Sequence, residues 1–487
     1  MDSRVGPKFS RRAFTRALAA GSAALAAGTL SALGSCGDGI TDSTDPAGRT
    51  ALPRPPSMAV QANLVAAVGV VALRPDLQVS AFMLNGSVPS PTIRARRGEV
   101  AQFQFVNQLP DPTIVHWHGL IVPADSDGHP RDTVMPGGQY PYAFPIAQRA
   151  GTYWYHPHAH HLTAMQVHRG MAGFFLVSDD EEDALQLPGD SREFLLMLQD
   201  RDEPGAAPYE YAPLPTDRHA GMLRDVAYGN GVPRPTVLVP PGPCRLRILN
   251  ASHARVYRLG LDGGTPLTVI GNDGGLLPAP VTAASVYLGV GERIDCLVDI
   301  TAVQPGSRVM LRSLPFALPG AAGVIRSQGT AMDLLELVRL PGNAPRANPL
   351  PLVLSNVIPL PAPSATRTFV FTSAIGASHR INGLSFDANR IDVQIPLGQV
   401  ERWVFQNDSA LPHPVHLHGT QFQVESRTGG RNVVYPYEMG WKDTVLVFPD
   451  ELVAVTVRFD TYPGVYLLHC HNLQHEDDGM MLNVEVT

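Results

Sequence analysis

The stretch HCHNLQHEDDGMM, residues 469–481, decides how the rest of the chain is interpreted. It places Cys470 between two histidines, His469 and His471, at the end of a strand pattern, with His475 and Met480 downstream. In a β-strand, residues i and i+2 point to one face and the residue between them points to the other. The two flanking imidazoles are therefore expected to face one site and the thiol of Cys470 a different one.

The same spacing of two histidines occurs at three further predicted strand ends. The pairs are His116 and His118, His156 and His158, and His416 and His418. With 17 histidines in 487 residues, chance alone produces this spacing less than about once in the whole chain. We therefore expect all four pairs to lie at strand ends and to direct eight imidazoles into one interface between two domains.

The thiol narrows the choice of metal for these histidines. Imidazole binds zinc, copper, iron and nickel alike, so the pairs alone leave the metal open. Two imidazoles, one thiolate and a weak axial thioether are the ligands of a blue-copper electron-transfer site. His413, Cys470, His475 and Met480 supply that set, and we interpret the adjoining Met481 as a core residue. Such a copper has a short covalent route through Cys470 to the two flanking histidines.

A longer pattern, a Gly-led strand ending in Asn and then two strands joined by a Gly turn, occurs three times. The first strand spans residues 98–107, 242–250 and 398–407, and the later strands span residues 139–156, 292–312 and 451–469. Where the outer copies carry histidine pairs, the middle copy has Tyr257-Arg258-Leu259 and Leu311-Arg312-Ser313. We therefore predict three similar domains, of which the middle one is a spacer.

Four motifs, HWHG, HPH, HPVHLHG and HCHNLQHEDDGMM, resemble those of the multicopper oxidase family, and the resemblance runs from about residue 85 to the end of the chain. It implies an all-β chain of three cupredoxin-like Greek-key β-barrel domains that hold four copper ions. The type 1 copper would be held by His413, Cys470, His475 and Met480, the type 2 copper by His116 and His416, and the type 3 pair by His118, His156, His158, His418, His469 and His471.

The resemblance also implies a reaction. A reducing substrate gives up single electrons at the type 1 copper, and dioxygen is reduced to water by four electrons at the three-copper cluster. Asp127 and Glu476 resemble the acids that the family places near this cluster, where they relay protons. The alternative is that both carboxylates only orient ligand imidazoles. Asp443, in the stretch Trp441-Lys442-Asp443-Thr444, matches a family motif and is interpreted as structural.

The reductant is predicted less directly. The last motif looks most like bacterial laccases and the cuprous oxidases of copper-efflux systems. The best-known cuprous oxidases carry a Met-rich insertion in the last domain and an acid four residues before the first type 1 histidine. Here residues 341–400 contain no Met, and the upstream position is Ser409. This favours a laccase-like oxidase of phenols or aromatic amines, with Cu(I) as the alternative reductant and a copper-free envelope scaffold of the same fold as a remote one.

Composition is consistent with several small β domains. The chain has 44% hydrophobic and 17% charged residues and 45 each of Gly and Pro, which suggests short strands joined by turns. Its net charge of −7 argues against nucleic acid as a partner. We predict a monomer with domains at residues 58–183, 184–340 and 365–487, and a Pro-rich linker at residues 341–364.

The N-terminal segment is interpreted as a targeting signal. Ser10-Arg11-Arg12-Ala13-Phe14 precedes a weakly apolar stretch that ends near Leu33, which resembles a twin-arginine signal over residues 1–35. A linker would follow at residues 36–57. We therefore expect an exported, periplasmic protein. Leu33-Gly34-Ser35-Cys36 also looks like a lipobox. If Cys36 is lipidated, the protein is tethered to a membrane; if it is not, the exported protein is free.

The remaining cysteines and histidines receive simpler interpretations. Cys244 and Cys296 lie on strands whose equivalents are neighbours in such barrels, and in an oxidising compartment we favour a disulfide between them over two buried free thiols. Four further histidines lie near the motifs but match no ligand position, and they are interpreted as surface residues or as supports of the ligands. They are His129, His160, His161 and His168.

Overall fold

The structure, a computed structural model, describes residues 50–74, 77–203, 208–318, 327–345, 349–374 and 378–487. The predicted signal at residues 1–35, Cys36 and most of the predicted linker that follows lie outside the described residues. Within the described ranges, no helix combines the length and the apolar character that a membrane span requires.

The first part of the described chain is built from nine strands and two short helices. They are β1 (Ser57–Met58), β2 (Gln61–Arg74), β3 (Leu77–Leu84), β4 (Ser90–Arg96), β5 (Val100–Asn107), β6 (Val115–His116), β7 (Gln139–Pro145), β8 (Gly151–Pro157), α1 (Thr163–His168), β9 (Gly173–Ser178) and α2 (Asp180–Ala184), with 3₁₀ turns at Ala124–Ser126 and Pro130–Asp132. The strands form two sheets, ordered β1-β4-β9-β8-β6 and β3-β2-β5-β7.

The middle part has twelve strands in two sheets. They are β10 (Glu193–Arg201), β11 (Val226–Gly229), β12 (Val232–Pro233), β13 (Thr236–Val239), β14 (Cys244–Asn250), β15 (Tyr257–Leu261), β16 (Leu267–Asn272), β17 (Gly275–Ala283), β18 (Val286–Leu288), β19 (Arg293–Val298), β20 (Arg308–Ser313) and β21 (Met332–Arg339), with helix α3 (Asp217–Ala220) and 3₁₀ turns at Asp190–Arg192 and Asp262–Gly264. The sheets are ordered β12-β11-β10-β14-β19-β16-β17 and β13-β21-β20-β15-β18.

The last part has ten strands in two five-stranded sheets. They are β22 (Ala365–Thr372), β23 (Arg380–Ile381), β24 (Val393–Ile395), β25 (Val400–Asn407), β26 (His413–Leu417), β27 (Phe422–Gly429), β28 (Thr444–Val447), β29 (Glu451–Arg458), β30 (Gly464–Cys470) and β31 (Met481–Val486), with helix α4 (Leu473–Asp477) and a 3₁₀ turn at Pro436–Glu438. The sheets are ordered β23-β22-β25-β29-β27 and β24-β31-β30-β26-β28. The predicted all-β fold of three cupredoxin-like domains is confirmed.

The sequence repeat corresponds to a repeated pattern of strand pairing. The Gly-led strands β5, β14 and β25 each pair in parallel with an earlier strand, respectively β2, β10 and β22. They also pair antiparallel with β7, β19 and β29. The strands that follow them, β6, β15 and β26, pair with β8, β20 and β30. The three domains therefore share one arrangement of strands, and the same positions carry histidines in the outer domains and other side chains in the middle one.

Each domain has its own large hydrophobic core. In β25 the residues alternate between buried and partly exposed, and Trp403 and Phe405 point into the core, as expected for a strand with one buried face. Every residue of β14 is buried. Its Arg245 forms ion pairs with Glu182 at 2.6 Å and with Asp295 at 2.5 Å. The outer face of β14 is therefore covered by charged partners, one of them from the first domain.

The predicted disulfide between Cys244 and Cys296 is wrong, because both thiols are free and buried. On the paired strands β14 and β19, Cys244 lies opposite Val298 and Cys296 lies opposite Leu246. The two cysteines are therefore diagonal neighbours, which lie about 7–8 Å apart. A disulfide needs a Cα separation of about 4.4–6.8 Å, so the strand register keeps the two thiols reduced in this arrangement.

Candidate metal centre

The four histidine pairs lie at the ends of two strand pairs. In the first domain His116 on β6 is opposite His156 on β8, and in the last domain His416 on β26 is opposite His469 on β30. The second histidine of each pair lies one or two residues beyond the end of its strand. All eight side chains, the histidine cluster, are at most 1% exposed. They are His116, His118, His156, His158, His416, His418, His469 and His471.

The residues between the paired histidines point away from the cluster, as strand geometry predicts. Trp117 lies in the core of the first domain and stacks on Phe103 at 4.9 Å between ring centroids. Leu417 and Cys470 lie in the core of the last domain. One face of each strand end therefore packs apolar side chains while the other presents imidazoles.

Imidazoles of the first and last domains meet across the domain interface. The short contacts join Nε2 atoms and are His116–His416 at 3.3 Å, His158–His469 at 3.4 Å and His156–His471 at 3.4 Å, with His418–His469 at 3.1 Å within the last domain. Two neutral imidazole nitrogens at this distance need a proton or a cation between their lone pairs. The arrangement is thus a ring of nitrogen donors around a small volume.

The protonation of these imidazoles suits metal binding. Burial lowers the pKa of all eight below the usual value, to about 3 for His156 and His469. Neutral imidazole is the form that binds metal ions. The Nδ1–H of His116 donates to the carbonyl oxygen of Asp127 at 2.7 Å, and that of His416 donates to the carbonyl oxygen of Asp443 at 2.9 Å. These bonds leave each Nε2 with its lone pair directed into the cluster.

Several buried atoms in the cluster have no partner within the described residues. They are the Nδ1 atoms of His118, His158 and His471. In His118 the Nε2 atom is already occupied, at 3.1 Å from Asp443 Oδ1 and 3.0 Å from Thr444 Oγ1, so Nδ1 is the atom left to bind an ion. Unpaired buried polar atoms are costly, and a metal ion would satisfy this one. Three groups of cluster histidines have ligand atoms within 4.8 Å of one another.

A second group of donors, the thiolate site, lies within the last domain. The Nδ1 atoms of His413 and His475 are 3.3 Å and 3.6 Å from Cys470 Sγ. The side chain of Met480 is fully buried, and its carbonyl oxygen accepts a hydrogen bond from the Cys470 amide at 3.1 Å. Burial raises the pKa of the Cys470 thiol, so a bound cation is what would hold it as thiolate. Three of the predicted type 1 residues, His413, Cys470 and His475, thus have their ligand atoms close together, and Met480 contacts Cys470 through its backbone.

The outward nitrogens of the thiolate-site histidines are also occupied. Nε2 of His413 is 2.8 Å from Ser409 Oγ, and Nε2 of His475 is 2.9 Å from the carbonyl oxygen of His219, in helix α3 of the middle domain. Both rings therefore keep Nδ1 for a metal ion. The hydrogen bond from His475 was not foreseen, because nothing in the sequence places α3 beside the last motif.

The two predicted acids lie beside the histidine cluster but make different contacts. Asp127 Oδ2 is 2.7 Å from His418 Nδ1, while its Oδ1 has no hydrogen-bond partner in the part of the chain that the structure describes. Neither carboxylate oxygen of Glu476 has a hydrogen-bond partner there either, although Oε1 is 3.6 Å from His158 Nε2 and Oε2 is 3.4 Å from His469 Nδ1. Burial raises the pKa of both carboxyl groups well above their usual values.

Asp443 contacts members of the histidine cluster directly, although the sequence predicted only a structural role for it. Its carboxylate contacts His118, its carbonyl oxygen accepts from His416, and Arg293 of the middle domain donates to it at 2.5 Å and 2.7 Å. A Cβ atom on Gly119 would lie 2.4 Å from Asp443 Oδ2, which explains the glycine in the HWHG motif. The signal available in the sequence was the position of Asp443, immediately before the strand that pairs with the HPVHLHG strand.

The middle domain is therefore more than the predicted spacer. It supplies no member of the histidine cluster or the thiolate site, but Arg293 fixes Asp443 and Gly291 lies against two cluster rings. A Cβ atom at Gly291 would be 3.1 Å from His118 and 3.2 Å from His471. The middle domain thus shapes one wall of the cluster.

The four histidines that lie near the motifs but match no ligand position have no hydrogen bond to the histidine cluster among the described residues. His129 Nε2 is 2.8 Å from Asn483 Oδ1, and His168 Nδ1 is 3.1 Å from His253 Nε2. The rings of His160 and His161 stack at 3.6 Å, and His161 Nδ1 is 2.6 Å from the carbonyl oxygen of Asp477. These contacts position loops around the site.

Comparisons with known proteins agree with this geometry. Two multicopper oxidase family profiles match residues 68–182 and 360–487. A bilirubin oxidase from Albifimbria verrucaria is 34% identical over 83% of this chain and 72% of its own length. A laccase from Bacillus stratosphericus is 33% identical over 82% of this chain and 90% of its own. The cell division protein FtsP from Dickeya dadantii is 33% identical over 81% and 83%, respectively.

The fold is also that of solved members. The structure of the multicopper oxidase McoA from Aquifex aeolicus superposes with a TM-score of 0.82 at 30% identity, and the match covers 90% of this chain and 99% of that one. Both profiles match the outer domains, where the histidine pairs and the thiolate site lie. The chain belongs to the multicopper oxidase family and is a copper oxidoreductase.

Proposed function

We propose that the protein is a laccase-like multicopper oxidase that oxidises a phenol or an aromatic amine and reduces dioxygen to water. The observation that carries the proposal is the position of Cys470, which lies in the thiolate site between two members of the histidine cluster. One strand end thereby connects an electron-accepting site to an oxygen-reducing site by covalent bonds. A protein that only stores or carries copper has no need of that connection.

The donor atoms present fit four copper ions. His413, Cys470, His475 and Met480 would hold a type 1 copper, His116 and His416 a type 2 copper, and the other six cluster histidines a type 3 pair. The unpaired Nδ1 of His118 and the N···N contacts across the domain interface support this assignment. Bound there, copper supplies the one-electron steps that link the reductant to dioxygen. The carbonyl oxygens of Asp127 and Asp443 keep the ligand nitrogens oriented.

Reduction of dioxygen to water also consumes protons, and we assign their delivery to Glu476 and Asp127. Glu476 is buried beside His158 and His469, and among the described residues its carboxyl group has no hydrogen-bond partner to which its proton is committed. A carboxyl group in that state is suited to donate a proton to reduced oxygen. Asp127 combines two tasks, since Oδ2 orients His418 and Oδ1 remains free. The alternative, that both acids only orient imidazoles, fits Asp127 better than Glu476.

The choice of organic reductant over Cu(I) rests on the last domain. Ser409 bonds to His413 through a neutral hydroxyl group, so the acid that precedes this histidine in the best-known cuprous oxidases is replaced here. Residues 341–400 contain no Met, and soft thioethers are the side chains that gather Cu(I). Cu(I) remains the alternative reductant.

Similarity to FtsP raises a third candidate, a copper-free envelope scaffold. The residues that we assign as ligands are all present in the two outer domains, and their side chains are buried. This arrangement is what a copper enzyme needs and a scaffold does not, so we favour the enzyme.

The cellular setting is proposed from the sequence. The twin-arginine-like segment supports export to the periplasm, with Cys36 as the point of lipid attachment if the lipobox is used. We also propose a monomer whose three domains have boundaries at residues 58–183, 184–340 and 365–487, and an acidic chain with no affinity for nucleic acid.

One experiment tests the proposal. Protein purified without residues 1–35 and loaded with copper is examined for the absorption band of a thiolate–copper bond, and oxygen uptake is followed with a phenol and then with Cu(I). We expect a blue protein that consumes oxygen with the phenol. Uptake with Cu(I) alone would assign the protein to copper detoxification, and a colourless protein that binds no copper would favour the scaffold.

A further inference from the structure

The imidazole edge of His475, where a reductant would be expected to deliver its electron, is covered. His475 is fully buried, and its Nε2–H donates to the carbonyl oxygen of His219 at 2.9 Å. The side-chain amide of Asn472 lies 3.2 Å from the same nitrogen. A phenol in solution therefore has no direct contact with this ring, and its electron has to pass through the covering residues.

The ring of His379 stacks on His475, and the ring of His219 stacks on His379 in turn. The ring of His379 lies 3.8 Å from that of His475 at an interplanar angle of 21°, and the ring of His219 lies 5.7 Å from that of His379 at 18°. His379 is 1% exposed, whereas His219 is partly exposed. The three nearly parallel rings thus run from the surface to the thiolate site.

Hydrogen bonds hold the central ring of this stack in place. His379 Nδ1 is 2.7 Å from Ser373 Oγ, and Nε2 is 3.0 Å from the carbonyl oxygen of Arg218. The backbone amide of His379 donates to Asp478 at 3.2 Å. Asp478 in turn pairs with Arg218. Residues 218 and 219 of the middle domain and residue 379 of the last domain are therefore tied together directly over the thiolate site.

We propose that His219 is the electron-entry residue, and that the ring of His379 carries the electron from it to His475. The inference rests on the proposed type 1 role of the thiolate site. For a phenol, one electron leaves the substrate and one hydrogen ion passes to solvent, which leaves a phenoxyl radical. A copper ion held by His475 would take up this electron. The imidazoles provide contact along the path and undergo no net change.

Substitutions in the stack test the path through the rate at which a phenol bleaches the blue band without oxygen. We expect His379→Leu and His219→Leu each to lower this second-order rate constant by about tenfold, since each removes one ring of the path. His379→Phe keeps a flat ring, and His161→Leu removes an exposed imidazole on the same side of α4, so both are expected to stay within about threefold of the parent. The blue spectrum should be unchanged in all four.

Two outcomes would overturn the proposal. If His379→Phe is slowed as much as His379→Leu, the ring serves only as a support through Ser373 and Arg218. If neither leucine variant is slowed, electrons enter elsewhere.

A second measurement does not depend on copper chemistry. Acylation of histidines by diethyl pyrocarbonate, mapped by mass spectrometry in the loaded and the copper-free protein, should modify His219 well before His475. Equal rates would show that His475 is open to solvent and would reject the cover. This result depends on neither the blue colour nor turnover. A protein that fails the test of the proposed function would therefore still show whether His475 is covered.

Discussion

The histidine cluster and the thiolate site are built in different ways. The cluster lies between the first and last domains, and each of its strand pairs supplies half of the imidazoles. The thiolate site takes all four donors from the last domain, and the middle domain adds only the cover at His219. The cluster therefore depends on how the domains assemble, whereas the thiolate site depends on one strand and the helix that follows it.

Removal of the thiolate should separate the two sites most completely. We expect Cys470→Ser to abolish the blue band and the oxidation of phenols, because a hydroxyl group does not replace a thiolate as a copper ligand or an electron route. The histidine cluster should still bind copper, since its donors do not include Cys470. Metal analysis and absorption spectra test this result.

The matched control is Cys296→Ala, which removes another buried thiol in the middle domain. It should keep both the blue band and the activity. Loss of the blue band in the control, or its survival in Cys470→Ser, would contradict the assignment of the thiolate site.

A change confined to the cluster should leave the thiolate site active. We expect Glu476→Gln to lower kcat by about 10²-fold, the smaller end of the range for loss of a general acid. Anaerobic bleaching of the blue band by a phenol should be unchanged, because that step needs no proton at the cluster. Asp477→Asn serves as the neighbouring control. Equal loss of both steps would show that Glu476 supports the fold of α4 and does not deliver protons.

How much the sequence revealed also differs between the sites. The sequence predicted which histidines come together at both sites, because strand alternation fixes where i and i+2 residues point and the repeat showed which positions were filled; their role as copper ligands stays a prediction. The supports from the middle domain, Arg293 and His219, could not, because their contacts depend on how domains pack and no local pattern records that packing. The disulfide failed for a related reason, since a register offset of two residues on neighbouring strands is invisible in the sequence.

The dependence of the cluster on domain assembly can be tested at Arg293. This side chain is fully buried and donates two hydrogen bonds to Asp443. Removing one partner of a buried ion pair costs about 3–5 kcal/mol, so Arg293→Met should lower the free energy of unfolding by that amount. Arg458→Met, which breaks a partly exposed pair with Asp460, should cost at most about 1 kcal/mol. Denaturant unfolding of both variants makes the comparison.

Arg293→Met should also affect the two sites unequally. Asp443 loses its partner and no longer holds His118 and His416 in place, so the cluster is expected to lose copper more readily than the thiolate site. Copper retention measured against a chelator, with the blue band as the record of the thiolate site, tests this order. Simultaneous loss from both sites would mean that the domain interface supports them equally.

The smallest expected effect is at Ser409, whose hydroxyl group contacts His413 of the thiolate site and, among the described residues, no member of the histidine cluster. Its hydroxyl group lies 2.8 Å from Nε2 of His413 and fixes which nitrogen of that ring remains for the metal. Ser409→Ala removes this hydrogen bond and the one between the same hydroxyl group and Asn407 Oδ1, and each is worth about 1 kcal/mol. We expect a small loss of stability and a shift in the reduction potential of the blue site, because hydrogen bonds to ligand imidazoles tune the metal. The cluster should keep its copper and its rate of oxygen reduction. If Ser409→Ala slowed oxygen reduction itself, a change at the thiolate site would also affect the histidine cluster. The two sites would then not be independent of each other in the last domain.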